Sequence, residues 1–483
     1  MRLPDPRVAP FLILCLAVLS SVSCRPAEDV SVEMTVSSMA GDRLARRPPI
    51  AFTADDQAGL PVIAVDDTRS YQRIDGFGAT FNEAGLLTLN KLEPARQEEV
   101  LRALFDPVDG AGFNFMSAPI AACDFASAGP WYTYADTPGD VALEHFSIER
   151  DLGPDGLVTF IKRARQHGEF LLQTTADYPP DWMLDEKMNL KPEHYDAYAR
   201  YLVKYVQAYA AEGITVDALS PFNEPFHVYC RITYPQVREL LKKHIGPRFR
   251  EAGLTTKLQP PDTNNRTVAR DEFPAFMEDA EARQFIHSFP VHGYDWKDEG
   301  SEPIGELHAR YSDVPLWMTE VCHMKRSTES GRPTPVHEFD DGDWWGRMLV
   351  SDLRAGASAW IYWNMILDQT GGPWLISEKH ENPDGNTQQP VVIVDTETGN
   401  VTYTGLYYYL AHFSKFVPRD SVRIDAEGDI DRVSFAAFRA PAGGKVLQVV
   451  NSRNEDVQVA IRFHGASAAV SLPAVSISTL MWP

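Results

Sequence analysis

Cysteine is scarce in this sequence, which has five cysteines in 483 residues. If Cys24, at the end of an N-terminal leader, is consumed by acylation, then Cys123, Cys230 and Cys322 remain for the folded part. An odd number of thiols is not a disulfide framework. The sequence also has no CxxC or HExxH pattern, so we predict buried free thiols and no metal site.

Positive charge is also in deficit. Lys and Arg number 45 against 67 Asp and Glu, which gives a net charge of −22. Phosphate binding needs a basic face, so nucleic acid is excluded as a partner, and adhesion of the folded surface to anionic lipid is disfavoured. The simplest interpretation is an acidic surface that keeps the protein soluble. A hydrophobic content of 44% and an aromatic content of 11% indicate a globular protein with a large core.

Long hydrophobic runs are missing apart from residues 11–19, which are too few to cross a bilayer as a permanent helix. Arg2 and Arg7 precede this run, and small residues at 20–23 follow it, so residues 1–24 are predicted to be a signal peptide for export. Cys24 stands where a lipoprotein is acylated. Because Ser21 replaces the usual aliphatic residue, both outcomes stay open: a membrane tether through lipidated Cys24, or release to the periplasm or the medium.

From residue 74 onward, apolar strand-like runs alternate with helical ones. The predicted strands cover residues 74–85, 113–125, 170–175, 216–221, 257–259, 289–292, 315–319 and 358–363. The predicted helices cover residues 94–105, 156–167, 192–212, 234–252, 272–285, 304–311, 344–355 and 406–416. Eight such units predict an α/β fold, a (β/α)₈ TIM barrel over residues 71–418. Residues 419–483 alternate at period two and predict an antiparallel β-sandwich, which strands from residues 30–70 are expected to complete.

Two glutamates close predicted barrel strands. Asn223 and Glu224 end the run at 216–226, on the fourth strand, and Glu320 ends the run at 315–321, on the seventh. Two carboxyl groups across one barrel mouth are the minimum equipment for cleaving a glycosidic bond. We therefore assign Glu224 as acid/base and Glu320 as nucleophile, with Asn223 as a hydrogen-bonding partner of the sugar 2-hydroxyl.

Other polar residues end predicted strands, and each also has a plain structural interpretation. Asp124 is predicted to hold sugar hydroxyls or to cap a turn. His292 and Tyr294 end the sixth strand, where His292 suits a hydrogen-bonded core position and Tyr294 suits orientation of the nucleophile. Trp363 ends the eighth strand and provides either a stacking surface for a sugar or core packing.

Eight motifs then occur in a recognisable order. They are IDGFGATFNEAG (74–85), ACDF (122–125), YTYADTP (132–138), NEP (223–225), VHGY (291–294), TEVC (319–322), WNMILDQTGGP (363–373) and YYYLAHFSKFVP (407–418). With them the chain resembles glycoside hydrolase family 30, in its glucosylceramidase (acid β-glucosidase) branch. The resemblance implies a barrel fused to a sandwich made from both chain ends, and retention by double displacement without a cofactor. It implies the roles given above for Glu224, Glu320 and Asn223, and sugar contacts from Asp124, Tyr294 and Trp363.

The chain departs from that branch around the sugar pocket. Ser117 stands where the branch has an arginine, and TADYPPDW replaces a stretch that carries a sugar-contacting tryptophan. Asp177, Tyr178 or Trp182 is expected to substitute for it. The loop at 374–390 is also longer and more polar than the branch leads us to expect.

These observations predict an exported retaining β-glycosidase that hydrolyses β-glucosides or short β-glucans. The altered pocket leaves two alternatives open: a β-xylosidase, β-fucosidase or β-1,6-glycanase of the same family, or a non-catalytic carbohydrate-binding lipoprotein. The predicted partner is a carbohydrate or glycoside, and the sequence makes no prediction of oligomeric state. If the enzyme retains configuration, the two carboxyl groups are expected to lie about 5–5.5 Å apart.

Overall fold

The computed structural model describes residues 30–54, 57–126, 132–226, 230–295, 300–322, 339, 341–373 and 388–483. The predicted signal peptide with Cys24, and most of the long loop at 374–390, lie outside the described residues. None of the described helices is both long enough and apolar enough to span a bilayer.

The described strands fall into a barrel, a sandwich-like sheet and a small third sheet. The barrel strands are β4 (Gly76–Thr80), β5 (Phe115–Pro119), β6 (Leu171–Thr175), β7 (Ala218–Ser220), β8 (Lys257–Leu258), β9 (Phe289–His292), β10 (Leu316–Glu320) and β11 (Ala357–Asn364). The sandwich strands are β1 (Ser31–Ser38), β2 (Ala45–Ala51), β3 (Val62–Arg73), β15 (Val422–Glu427), β16 (Val433–Arg439), β17 (Lys445–Asn451), β18 (Val457–Phe463), β19 (Ala466–Leu472) and β20 (Ser476–Trp482). The third sheet contains β12 (Ile366–Asp368), β13 (Val392–Val394) and β14 (Val401–Tyr403).

The barrel strands are all parallel, in the order β8-β7-β6-β5-β4-β11-β10-β9. The remaining seam closes just past β8. There Thr263 forms a parallel bridge with Val291, and the amide of His287 donates to the Leu258 carbonyl at 2.9 Å. A closed ring of eight parallel strands confirms the predicted TIM barrel and brings all eight strand ends to one face.

Helices follow the strands around the barrel. They are α1 (Glu83–Leu89), α2 (Pro94–Phe105), α3 (Leu157–Arg165), α4 (Tyr195–Ala211), α5 (Tyr234–Leu240), α6 (Gly246–Glu251), α7 (Arg266–Glu278), α8 (Ala280–Arg283), α9 (Glu302–Arg310), α10 (Asp341–Arg354) and α11 (Gly405–Phe416). The helix predicted at 272–285 begins earlier, because the Asn265 side chain accepts from the Val268 amide at 2.8 Å and caps α7. It also divides in two, since Asp279 caps α8.

Because side chains alternate along each barrel strand, apolar and polar side chains form separate layers inside the barrel. Phe115, Trp317 and three smaller residues form an apolar cluster, in which the Phe115 and Trp317 rings meet edge to face at 4.8 Å. Two residues further along the same strands, on the same face, come Ser117 and Thr319. The Ser117 hydroxyl donates to Gln173 at 2.6 Å. An apolar lower layer therefore supports a polar layer at the strand ends.

Both chain ends build the second unit, which is one nine-stranded sheet in the order β19-β18-β3-β15-β16-β17-β20-β1-β2. Its pairings are antiparallel except for the parallel pair β18–β3. A bridge from Thr53, just past β2, to Ser467 in β19 joins the two edges of the sheet around a second hydrophobic core. The predicted sandwich from both chain ends is confirmed as part of the fold class.

Helix α11 connects the barrel to the sandwich through a buried histidine. His412 Nδ1 lies 2.6 Å from the Thr479 hydroxyl, and Nε2 lies 3.0 Å from the Ser37 hydroxyl. Burial lowers the pKa of His412 to about 3, so the ring is neutral and its two nitrogens serve these hydrogen bonds. One residue from each chain end is thus bonded to the last barrel helix.

Candidate active site

Glu224 and Glu320 reach the C-terminal face of the barrel by different routes. Glu320 is the last residue of β10. Glu224 lies four residues beyond the end of β7 and has a left-handed backbone, with φ of 42°. Its amide donates to the Asp262 carbonyl at 3.0 Å, which holds this unfavourable conformation in place. The two side chains are 14% and 12% exposed, so both reach a cleft yet are largely removed from water.

His292, at the end of β9, lies between the two glutamates. Its Nδ1 is 2.7 Å from Glu224 Oε1 and 3.6 Å from Glu320 Oε1, and its Nε2 is 3.6 Å from Asp262 Oδ1. One carboxyl oxygen of each glutamate and a ring nitrogen of His292 all lie within 4.8 Å of one another. Three carboxyl groups therefore surround one buried imidazole.

The titration of this cluster follows from its charges. Burial alone would lower the pKa of His292, but Glu320, Asp262 and Glu224 together raise it well above its usual value, so the ring is an imidazolium at neutral pH. Burial raises the pKa of Glu320 to about 8; His292 opposes this rise and the neighbouring Glu224 adds to it. Two carboxyl groups this close titrate as a pair, and the pair keeps one proton up to that pH.

Tyr294 contacts Glu320 from the cleft side. Its hydroxyl donates to Glu320 Oε1 at 2.8 Å and lies 3.4 Å from the Cys322 sulfur. Tyr294 as a whole is 43% exposed, while these two contacts anchor its hydroxyl. A hydrogen bond to one carboxyl oxygen stabilises the ionised form of Glu320. The Tyr294 hydroxyl thus donates to Glu320, whereas the closest contact of His292 Nδ1 is with Glu224, at 2.7 Å.

Asn223 and Trp363 complete the walls around the two glutamates. Asn223 Oδ1 is buried and has no hydrogen-bond donor among the residues that the structure describes. Trp363, at the end of β11, is only 6% exposed and meets the Phe125 ring edge to face at 6.3 Å. The next residue, Asn364, accepts from the Asn82 amide at 2.8 Å. Asn223 thus offers a free acceptor, whereas Trp363 is mostly engaged in packing.

Asp124 and Asp177 form a second carboxyl pair at the strand ends, beside β5 and β6. The Cys123 sulfur and one oxygen from each aspartate lie within 4.8 Å of one another. Burial raises the pKa of the Cys123 thiol well above its usual value, and Asp177 and Asp124 raise it further. A metal would require the thiolate, so these three residues do not suit a metal ion. Nor does the first cluster, because a doubly protonated His292 has no lone pair to give.

A carboxylate pair of this kind, set at the mouth of a TIM barrel, is the equipment of glycoside hydrolysis. The family model for the glycosyl hydrolase family 30 TIM-barrel domain matches residues 74–417. The model for the family's beta sandwich domain matches residues 420–480. The chain belongs to glycoside hydrolase family 30. It is accordingly a glycosyl hydrolase, and the resemblance read from its motifs is confirmed.

The proteins similar to this family 30 enzyme include a glucosylceramidase and an endo-1,6-beta-D-glucanase. The chain is 27% identical over 445 residues to the lysosomal acid glucosylceramidase of Mus musculus, an alignment that covers 87% of this chain and 83% of the relative. It is 28% identical over 428 residues to an endo-1,6-beta-D-glucanase of Neurospora crassa, covering 83% of each. Two solved structures share its fold. SrfJ from Salmonella typhimurium has a TM-score of 0.84 at 21% identity, and an endo-beta1,6-glucanase has 0.80 at 22%; each covers 94% of this chain and 99% of its own.

The family 30 enzyme also has a site residue that the sequence analysis missed. Asp262 follows β8, faces His292 Nε2, and accepts a 2.5 Å hydrogen bond from the Thr319 hydroxyl. A weak signal was present in the sequence, because Pro260, Pro261 and Asp262 directly follow the predicted strand at 257–259, as polar residues follow the other strands. Strand β8 is only two residues long, which makes that signal weak.

The three residues expected to substitute for the sugar-contacting tryptophan make different contacts. The Tyr178 hydroxyl donates to the Tyr132 carbonyl at 3.3 Å, and Trp182 Nε1 donates to the Ala135 carbonyl at 2.8 Å. Both therefore serve to hold the loop at 132–136. Asp177 alone among the three expected substitutes joins the acidic cluster, beside Asp124.

Proposed function

We propose that this family 30 enzyme is an exported retaining β-glycosidase that hydrolyses β-glucosides or short β-glucans by double displacement. The observation that carries the proposal is the approach of Glu224 and Glu320 to within 4.8 Å through one oxygen each, with His292 between them. Retaining enzymes hold their two carboxyl groups about 5–5.5 Å apart, whereas inverting enzymes need about 6.5–9.5 Å to admit a water molecule. The short spacing supports retention.

The roles are those that the family resemblance implies, and the hydrogen bond from Tyr294 supports that of Glu320. Tyr294 donates to Glu320, which favours the anionic form that a nucleophile needs. Glu320 attacks the anomeric carbon while Glu224 gives its proton to the leaving oxygen, and a glycosyl ester forms on Glu320. Glu224 then takes a proton from water, whose oxygen displaces Glu320 from the anomeric carbon. Each proton and electron pair is returned by the end of the cycle.

Asn223 supports the same assignment. Its unpaired Oδ1 is buried next to Glu224, where an acceptor is unfavourable unless a ligand satisfies it. The 2-hydroxyl of a sugar with its anomeric carbon between the glutamates would supply the donor, and that hydrogen bond strengthens in the transition state.

The choice of glucose rests on the relatives. One relative is named a glucosylceramidase and the other an endo-1,6-beta-D-glucanase, and the two are about equally similar to this chain. The feature that the two names share is glucose, while the group beyond the scissile bond differs. A β-glucosyl unit is therefore the substrate that we expect in the pocket, with either a short glucan or a smaller group leaving.

The proposal is tested with purified enzyme on 4-nitrophenyl β-glucoside and on a set of β-linked glucose disaccharides and glucans. Proton NMR of the first product should show the β anomer before mutarotation. Glu320→Gln should remove activity on every substrate. Glu224→Ala should still cleave the aryl glucoside slowly and be accelerated by azide with formation of β-glucosyl azide. Glu193→Gln, an exposed glutamate, is the matched control. Release of the α anomer would refute retention.

Export rests on residues 1–24 alone. Expression of the full chain in a bacterium that exports lipoproteins, followed by mass spectrometry of the mature N-terminus, tests it. A chain that begins at Cys24 with added acyl mass supports a lipoprotein, and a free new N-terminus supports release. Retention of Met1 in the mature protein would refute export.

A further inference from the structure

Asp177 is a buried carboxyl group that the chemistry above does not use. It lies two residues beyond β6 and is 4% exposed. Within the part of the chain that the structure describes, it has no hydrogen-bond donor and no ion-pair partner. Burying a carboxyl group without a hydrogen bond costs several kcal/mol, so a native protein keeps one only where something else satisfies it.

The neighbours of Asp177 connect it to the cleft. Its carboxyl group and that of Asp124 approach to within 4.8 Å through one oxygen each. After Asp124, the charges that act on Asp177 most strongly are Glu320 and Glu224, and then His292. Asp177 therefore lies near the two glutamates, on the face of the barrel where the strands end.

The protonation of Asp177 follows from these neighbours. Burial, and then the carboxylates of Asp124, Glu320 and Glu224, raise the pKa of Asp177 well above its usual value. The raised pKa favours the protonated carboxylic acid, which can donate one hydrogen bond as well as accept. A neutral acid beside the Asp124 carboxyl makes a corner that can both give and receive a hydrogen bond, as a sugar hydroxyl requires.

We propose that Asp177 is a specificity-determining residue, which together with Asp124 binds a ring or hydroxymethyl hydroxyl of the sugar whose anomeric carbon lies between Glu224 and Glu320. This inference rests on the proposed function and names its substrate class: neutral pyranosides with a free hydroxyl at this corner. Sugars with a carboxylate there are excluded, since it would enter a cleft that already contains four carboxyl groups.

The test compares substrates that differ by one hydroxyl. The probes are 4-nitrophenyl β-glucoside and its 4-deoxy and 6-deoxy analogues, and kcat/KM is measured for the wild type and for Asp177→Ala. On the parent glucoside the substitution should lower kcat/KM by about 10- to 100-fold, the range for one hydrogen bond in a buried polar site. On the analogue that lacks the bound hydroxyl, wild type and variant should differ by less than about threefold.

Two further variants serve as controls for this experiment. Asp177→Asn keeps the shape and a donor, so it should restore activity on the parent glucoside to within about tenfold of wild type. Asp181→Asn, at an exposed position in the same loop, should match wild type on all three probes. Thermal melting of each variant verifies folding, and if Asp177→Ala does not fold, Asp177→Asn replaces it, with 4-nitrophenyl β-glucuronide as an added probe that the wild type should not hydrolyse.

Each possible result either supports the inference about Asp177 or overturns it. An equal loss on all three glycosides, with Glu320→Gln inactive as expected, overturns the inference and leaves the proposed function standing. Efficient hydrolysis of the glucuronide by the wild type also overturns it. If the wild type hydrolyses neither these glycosides nor the β-linked glucose disaccharides and glucans, the proposed function fails and this inference fails with it. Selective loss that disappears on one deoxy analogue supports both.

Discussion

His292 sets the charge balance of the cleft, and its removal gives the sharpest test of that balance. The ring is 1% exposed and has three carboxyl groups around it, two of them the glutamates assigned to catalysis. In His292→Gln the positive charge is lost, while an amide of similar reach remains to contact Glu224. The main change is therefore electrostatic.

The distances give the size of the effect. A unit charge 3.6 Å from Glu320 Oε1 contributes about 5 kcal/mol at an effective dielectric constant of about 20. This corresponds to about three pKa units at 1.36 kcal/mol per unit. Relaxation and entry of water reduce it, so a rise of at least about one unit is expected. The sign is clear, because His292 lowers the pKa of Glu320 and its loss must raise it.

The assay is the pH dependence of kcat/KM on 4-nitrophenyl β-glucoside. In the wild type, activity should be present below pH 8 and decline above it, as the glutamate pair loses its last proton. In His292→Gln both limbs should move to higher pH by about one unit or more. The control is His167→Gln, because His167 is paired with Glu98 on the helix side of the barrel and not with the two glutamates. A lower rate with an unchanged pH profile would refute the electrostatic role.

Three further outcomes follow from the structure. Glu320→Gln should lower kcat by about 10⁴-fold or more in a stopped assay, as loss of a nucleophile does. Tyr294→Phe removes the 2.8 Å hydrogen bond to Glu320, worth about 1.5–3 kcal/mol, so kcat/KM should fall about 10- to 150-fold and the alkaline limb should move upward. Asp151→Ala leaves the buried hydroxyls of Tyr134 and Tyr209 without their shared acceptor, while Tyr132 keeps Glu83, and it should lower the free energy of unfolding in urea by about 3–5 kcal/mol. Stability equal to wild type would contradict that last expectation.

The barrel could be predicted from the sequence because its periodicity is strong. Most of the strands are short, mainly apolar runs that are buried in a parallel barrel, and the longer helices have an apolar face at helical spacing. The residues at which helices begin and end were harder to predict from the sequence. Helix α7 begins at Arg266, six residues before the predicted start, because its Asn265 cap depends on one side-chain hydrogen bond rather than on a repeating pattern.

The site residues were likewise predictable from the sequence only in part. Glu224 and Glu320 were predicted from their positions at strand ends, and both reach the cleft. The position of His292 between them was not predictable, because a single histidine at a strand end has the same sequence pattern whether it packs in the core or bridges two carboxyl groups. Asp262 was missed for a related reason: a two-residue strand hardly interrupts the surrounding loop. Contacts between distant strands carry this information, and no local pattern does.

One residue in the polar layer of the barrel bears on the charge balance of the cleft. Ser117 stands where the resembling branch has an arginine, and its hydroxyl is bonded to Gln173, a neutral partner. Among the described residues, His292 is therefore the cation that acts on both Glu320 and Asp177, and no lysine or arginine appears among their strongest electrostatic neighbours. A cleft with one imidazolium and several carboxyl groups must keep protons to remain stable, because ionised carboxylates at this spacing repel one another. The same retained protons make Asp177 a donor and extend the working range of the glutamate pair toward pH 8. The proposed specificity for a neutral sugar and the expected alkaline limb thus have one physical origin, and an arginine introduced by Ser117→Arg should lower both the pH limit and the dependence on Asp177.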